Sequence, residues 1–143
     1  PDFRGLRDAC QTVFDARPDI FNHNMETVPR LYRRVRPQAD YQRSLDVLQW
    51  AKEDGLRTKS GIMVGLGEDP EEVLELMDDF VEIGLDVMTI GQYMQPTKMH
   101  LPVEDWVEPE TFAWYKEVGE AKGIEHVESS PLTRSSYHAE KHV

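Results

Sequence analysis

Cysteine is nearly absent: the 143 residues contain one, Cys10. A single thiol excludes an internal disulfide framework and any all-cysteine metal site built from this chain alone. Basic residues are also scarce. Sixteen Lys and Arg stand against 27 Asp and Glu, for a formal net charge of −11. A general nucleic-acid binder carries a basic surface, so that class is disfavoured. No apolar run approaches the ~20 residues that span a bilayer, so no membrane partner is expected. The opening Pro1-Asp2-Phe3-Arg4-Gly5 has neither the basic nor the apolar stretch of a secretory signal. It also lacks an initiator Met, so the expectation is a fragment, a processed product or a shortened chain. An acidic chain with one free thiol and no leader fits a reducing, cytoplasmic compartment.

Several catalytic signatures are missing too. Gly65-Leu66-Gly67 begins like a dinucleotide fingerprint, but position 70 is Pro where the third Gly belongs. There is no P-loop and no Gly-x-Ser-x-Gly elbow. His138 and His142 are four apart with Glu140 between them, whereas a zinc protease needs Glu directly after the first His. Cys10 falls in an apolar helical stripe and reads as a packed core thiol rather than a nucleophile.

What is present is an alternation of helix and strand. Helices are predicted over residues 3–15, 27–35, 41–54, 70–83 and 109–122. Strands are predicted over 19–22, 58–64, 86–90 and 124–127, with a long loop over 91–107. The helix after position 69 is the best marked, with Asp69 as N-cap, Pro70 at N1, Glu72 three after the cap and Gly84 as the stop. Such alternation implies parallel strands joined by right-handed crossovers. Four strands cannot close a barrel that takes about eight. The expected fold is α/β, either a doubly wound sheet or a slice of a (β/α) barrel with outer helices. In these folds the site lies at the C-terminal ends of the strands. Those ends carry Asn22, His23, Asn24 and Glu26 after the first strand, Gly65, Gly67 and Glu68 after the second, and Gln92, Tyr93 and Gln95 after the third. Amides and carboxylates at three ends together favour a polar ligand over ordinary loop chemistry. Arg30, Arg33, Arg34 and Arg36 form one basic cluster, read either as a solvated face paired with nearby acids or as a contact for an acidic partner.

Five longer stretches carry a resemblance. They are residues 21–32 (FNHNMETVPRLY), the pair VRP at 35–37 and YQRSL at 41–45, residues 58–68 (TKSGIMVGLGE), residues 89–96 (TIGQYMQP) and residues 134–139 (RSSYHA). In this order they resemble lipoyl synthases, a family of radical S-adenosylmethionine (SAM) enzymes. The resemblance implies a partial (β/α) barrel and insertion of sulfur at C6 and C8 of a protein-bound octanoyl chain. It implies SAM and two four-iron four-sulfur clusters as cofactors, one to cleave SAM and one as sulfur source. It implies an octanoylated lipoyl-carrier domain or glycine cleavage H protein as substrate partner, and ferredoxin or flavodoxin as electron donor. It also implies a cytoplasmic location, or a mitochondrial one in a eukaryote.

By this resemblance the SAM contacts fall on Asn22, Asn24, Glu26, Ser60, Gly65 and Glu68, with Gln92 added from its strand end. Ser136 falls on the serine that ligates the auxiliary cluster, ahead of Ser135. Neither three-cysteine motif of the family is present. The chain therefore resembles the family's C-terminal half, with residues 1–128 as barrel and 129–143 as a tail. Alone, such a chain is expected to be inactive and to hold no cluster. Two other readings stay open at this point: a half-barrel subunit that works with a separate cysteine-bearing chain, and a non-catalytic remnant that binds an acyl-carrier domain.

Overall fold

Residues 58–64 and 87–92 are buried almost throughout, which marks strands covered on both faces. The computed structural model describes residues 7–134. Its elements run α1 (Arg7–Asp15), β1 (Phe21–Asn22), a 3-10 turn (Pro29–Leu31), α2 (Tyr32–Val35), α3 (Tyr41–Glu53), β2 (Thr58–Val64), α4 (Pro70–Glu82), β3 (Val87–Gln92), α5 (Pro109–Lys122) and β4 (His126–Ser129). The four strands form one sheet in the order β1-β2-β3-β4, and each neighbouring pair is parallel. This is the α/β arrangement expected of a partial barrel.

The pleat divides each strand between two faces. Ile62 and Val64 of β2, Met88 and Ile90 of β3 and Val127 of β4 join the main core with Leu48, Leu76, Met77, Phe80, Phe112 and Tyr115 from the helices. The alternate positions, Lys59, Gly61 and Met63 on β2 and Val87, Thr89 and Gly91 on β3, lie in register on the other face. That face is small and polar near its C-terminal end, as a ligand-facing wall requires.

The helices form where their ends are satisfied. Asp40 caps α3 by accepting the Arg43 N–H at 2.9 Å. In α4 the Asp69 N–H donates to Glu72 Oε1 at 2.8 Å, half of a capping box that the sequence signature anticipates.

Four boundaries differ from the sequence expectation. The first strand shortens to Phe21–Asn22, and the helix expected over 27–35 splits into a 3-10 turn and α2. Pro29 stands at the start of that turn. Gly91 and Gln92 belong to β3, not to the following loop, because Met63 and Val64 pair with them. The last strand is His126–Ser129, two residues later than 124–127. Gly123 ends α5 at a φ of 123°, and the Ile124 N–H returns to Gly119 O at 3.2 Å. Ile124 thus plugs the core before pairing starts.

At the N-terminal end of the sheet, Asp86 joins three elements. Its carboxylate accepts from Lys52 Nζ at 2.9 and 3.1 Å, from the Thr58 N–H at 2.8 Å and from Thr58 Oγ1 at 3.2 Å. Burial pushes the carboxyl up, but Lys52 and Thr58 outweigh it and hold it below the ordinary carboxylate range. A depressed carboxyl contributes stability in full above its unfolded value of about 4 and loses it as pH falls through the folded value. Asp86→Asn is therefore expected to destabilise the fold by about 1–3 kcal/mol at pH 7. Urea denaturation across pH should show the difference from the parent constant between pH 7 and 5 and narrowing below about pH 4.

Candidate functional site

The segment after β1 leaves the sheet and rejoins it. The His23 N–H bonds Lys59 O at 3.0 Å, the Glu26 N–H bonds Gly61 O at 2.9 Å, and the Met63 N–H bonds Glu26 O at 2.9 Å. Glu26 sits at a φ of 72°, a left-handed conformation that a non-glycine residue keeps only when its surroundings fix it. They do so here. The Met25 N–H donates to Ser60 Oγ at 3.1 Å, Tyr32 Oη donates to Met25 O, and Arg36 Nη1 donates to Asn24 O at 3.1 Å.

This pinning sets Asn24 and Glu26 on the wall of a cavity of about 180 Å³ at the C-terminal ends of the strands. Gly61, Ile62 and Met63 of β2, Thr89 and Gly91 of β3, and Thr133 and Arg134 beyond β4 complete it. Asn24 Oδ1 is buried and has no hydrogen-bond partner among the described residues, and Asn22 Oδ1 is in the same state. Buried acceptors without a partner are costly, so each marks a place where an added donor gains.

The far wall is made by chain reversal after β4. Ser130 N–H bonds Ile90 O at 3.2 Å, Gln92 N–H bonds Pro131 O at 3.2 Å, and Thr133 N–H bonds Ser130 O at 3.1 Å. The reversal crosses Gly91 so closely that a Cβ there would collide with Thr133 O. The chain after β4 thus folds back over the strand ends as far as Arg134.

The other residues singled out by sequence share this end of the sheet but not the cavity. Ser60 is fully buried and spends its hydroxyl on the Met25 amide. Gly65, at a φ of 93°, turns the chain so that its own N–H and that of Leu66 grip the Glu68 carboxylate, each at 3.0 Å. Burial pushes the Glu68 carboxyl above its ordinary value, and the two amides only partly offset this. Glu68 faces a separate cavity of about 210 Å³ with Asp105, Trp106, Glu108 and Tyr115. Gln92 is buried and fully used: Nε2 donates to Tyr93 O at 2.9 Å and Asp105 O at 3.0 Å, and Oε1 accepts from the Val107 N–H at 2.9 Å. It fastens the long loop to β3. Ser136 and Ser135 lie outside the described residues, and of the RSSYHA stretch only Arg134 lies within them.

The arginine cluster resolves mostly into internal pairs. Arg30 forks onto Glu72 at 2.9 Å through both Nε and Nη2, and also donates to Gly67 O at 2.7 Å. Arg34 meets Glu104 at 2.6 Å, and Arg36 stacks 5.7 Å over the Tyr32 ring. Sequence reasoning missed Gly61, Met63 and Thr89 as cavity wall. Strand alternation carried that signal, since these positions share one face of neighbouring strands.

The Radical SAM superfamily profile matches residues 1–80, more than half of the chain. The chain belongs to that superfamily. Within it, the chain is similar to lipoyl synthases along its whole length. The enzyme of Rubrobacter xylanophilus is 61% identical over 141 residues, covering 97% of this chain and 44% of the relative. That of Bacteroides fragilis is 55% identical over 143 residues, covering 100% and 50%. The mitochondrial enzyme of Nematostella vectensis is 51% identical over 144 residues, again covering 100% and 50%. The chain spans about half the length of the curated relatives it matches.

The residues present fit one implied group and not another. The buried unpartnered Asn24 Oδ1, beside a carboxylate and a guanidinium, suits a polar, charged ligand such as one end of SAM. An iron–sulfur cluster does not fit the described residues. Cys10 is buried in α1, and no group of three or more His, Cys, Asp or Glu among the described residues could hold a metal.

Gln92→Leu separates fastening from ligand contact. It leaves the Val107 N–H and the Asp105 carbonyl without partners, at a cost of about 1–3 kcal/mol for the group left buried. Hydrogen exchange followed by mass spectrometry should speed up over 93–107 and stay unchanged in β2.

Proposed function

We propose that this chain is the C-terminal half of a radical SAM sulfurtransferase of the lipoyl synthase type. The observation that carries the reading is similarity to lipoyl synthases over the entire chain at 51–61% identity. A charged cavity at the strand ends, with an unpartnered buried amide oxygen, supports it. The complete enzyme inserts two sulfurs, at C6 and C8 of an octanoyl chain carried on a lipoyl-carrier domain or glycine cleavage H protein. When bound, SAM and a reduced four-iron cluster supply the radical chemistry that removes hydrogen from those carbons. Ferredoxin or flavodoxin serves as electron donor, in the bacterial cytoplasm or in a mitochondrion.

This chain's contribution is to bind and orient. Asn22 and Asn24 offer amide oxygens to the donors of SAM, and Glu26 offers a carboxylate to its ammonium or hydroxyl groups. Ser60 acts one step back, by fixing Met25 and so the turn that aims Asn24 and Glu26. Gly65 and Glu68 shape the next strand end, and Gln92 fastens the long loop to β3. A side chain for general acid or base work is not required, since the radical takes the hydrogens. In the complete enzyme Ser136 would be the residue of this half that holds the auxiliary cluster, as the family resemblance implies. A hydroxyl oxygen holds iron less firmly than thiolate, which suits a cluster that has to be opened.

Two measurements test this. In the complete enzyme, Ser136→Ala should abolish lipoyl product while SAM cleavage continues, because the two clusters do separate work. Normal product with Ser135 intact would remove Ser136 from the role. The 143-residue chain alone should take up no stoichiometric four-iron cluster on anaerobic reconstitution, as it lacks the thiolates. If added cysteine-bearing polypeptide restores activity to this chain, the half-barrel subunit reading replaces the fragment one.

A further inference from the structure

Acids outnumber bases 27 to 16 in this chain, yet two stretches contain no Asp or Glu. Residues 27–39 carry Arg30, Arg33, Arg34 and Arg36, and residues 87–103 carry Lys98 and His100. The fold brings the two stretches together. Arg34 and Val35 from the first, and Tyr93, Met99 and Leu101 from the second, line one groove of about 450 Å³ with Leu66. Arg33 and Lys98, the sequence neighbours of Arg34 and Met99, are exposed. Glu104, the first acid after the second stretch, is taken up by Arg34 at 2.6 Å. The groove shares no lining residue with the cavity at the strand ends.

The loop that carries Met99 is ordered by its own hydrogen bonds. Tyr93 Oη donates to Leu101 O at 2.6 Å, and Gln95 Nε2 donates to His100 O at 2.9 Å. The Met99 N–H donates to Thr97 Oγ1 at 3.2 Å, and the His100 N–H donates to Thr97 O at 3.1 Å. Met99 is nevertheless 93% exposed, and Met94 on the same loop is exposed as well. A fastened turn thus holds an apolar side chain out into water, beside a groove that is itself largely apolar.

An exposed apolar patch with a polar rim is the anatomy of a protein interface. Charge then selects the partner. A basic partner is repelled by Arg33, Arg34 and Lys98, and a neutral one leaves them without counter-charges. An acidic protein surface with a protruding apolar side chain meets both the rim and the groove. A thioether adapts its shape to an irregular partner surface. We propose that this groove and its basic rim are the docking face for an acidic protein partner. The groove and Met99 receive an apolar side chain of the partner, and Arg33 and Lys98 attract its carboxylates. This rests on the reading above that the substrate is carried on a protein, and it assigns the face on which that protein sits.

The experiment is anaerobic calorimetric titration of the complete enzyme with the octanoylated lipoyl-carrier domain, at low and at physiological salt. Met99→Ser should weaken binding roughly tenfold at either salt, the effect of losing a packed apolar anchor. The double variant Arg33→Glu, Lys98→Glu should weaken it at least about tenfold at low salt and flatten its decline with added salt. Lys122→Glu, a charge reversal on α5 outside the groove, should stay within about twofold of the parent. The unmodified carrier should bind within about threefold of the octanoylated one, because the groove meets the protein and not the acyl chain. Unchanged binding by the Met99 and double variants overturns the docking face while the lipoyl synthase reading stands. Equal weakening by Lys122→Glu also overturns it, since net charge is then the cause. Binding that requires the octanoyl chain assigns the groove to that chain and overturns protein docking. A complete enzyme that binds neither form of the carrier overturns the functional reading, and this face with it.

Discussion

The contact between the Thr133 carbonyl and the bare Cα of Gly91 decides what can stand at the mouth of this sheet. Parallel strands leave their C-terminal ends open, and the chain has to leave β4 in some direction. Because Gly91 lacks a side chain, the chain doubles back across β3, and Pro131 and Ser130 continue the hydrogen-bond ladder past the last residue of β4. The reversal converts an open sheet end into a walled cavity. Gly61 makes the matching concession on β2, where a Cβ would strike Thr89 Oγ1. Two missing side chains on adjacent strands thus produce a depression between a carboxylate and a guanidinium.

The opposite end of the sheet is built for stability. Asp86 ties Lys52, Thr58 and, through its carbonyl, the His126 amide, so the starts of β2, β3 and β4 are fixed in register from one point. The packed helix-facing side, centred on Met77, Phe80, Phe112 and Tyr115, supplies the apolar burial. With anchoring at one end and core on one face, the remaining face and end are free to carry unpaired polar atoms. A buried amide oxygen without a partner, such as Asn24 Oδ1, is tolerable only where the rest of the structure does not need it for folding.

Much of this was legible in the sequence, and the reasons for the exceptions are physical. Helix ends were clear where a cap was encoded, as at Asp69-Pro70-Glu72, and β2 was clear because its apolar run is bounded by turns. Strand ends were obscure where a glycine stood. Gly91 looks like the start of a loop, although the backbone pairing to Met63 continues through it. The site was legible as an end of the sheet and not as a set of partners. Asn24, Glu26, Glu68 and Gln92 all appear there, yet only the first two line the same cavity. Composition cannot separate them, because an amide that fastens a loop and an amide that waits for a ligand are the same residue type.

What separates them is hydrogen-bond satisfaction. Gln92 has three bonds to backbone groups of its own chain, and Glu68 is gripped by two backbone amides. Both have already exchanged water for protein, so a ligand reaching for them would have to break bonds worth as much as those it made. Among the described residues Asn24 Oδ1 has made no such exchange, and Arg134 has made one only with its neighbour's carbonyl. Any free energy a ligand gains there is undiminished by internal competition. Among polar residues gathered at one strand end, the ones left unsatisfied by the fold are those that a ligand can meet without breaking an internal bond. In this chain they are held by the left-handed turn at Glu26 and the chain reversal over Gly91.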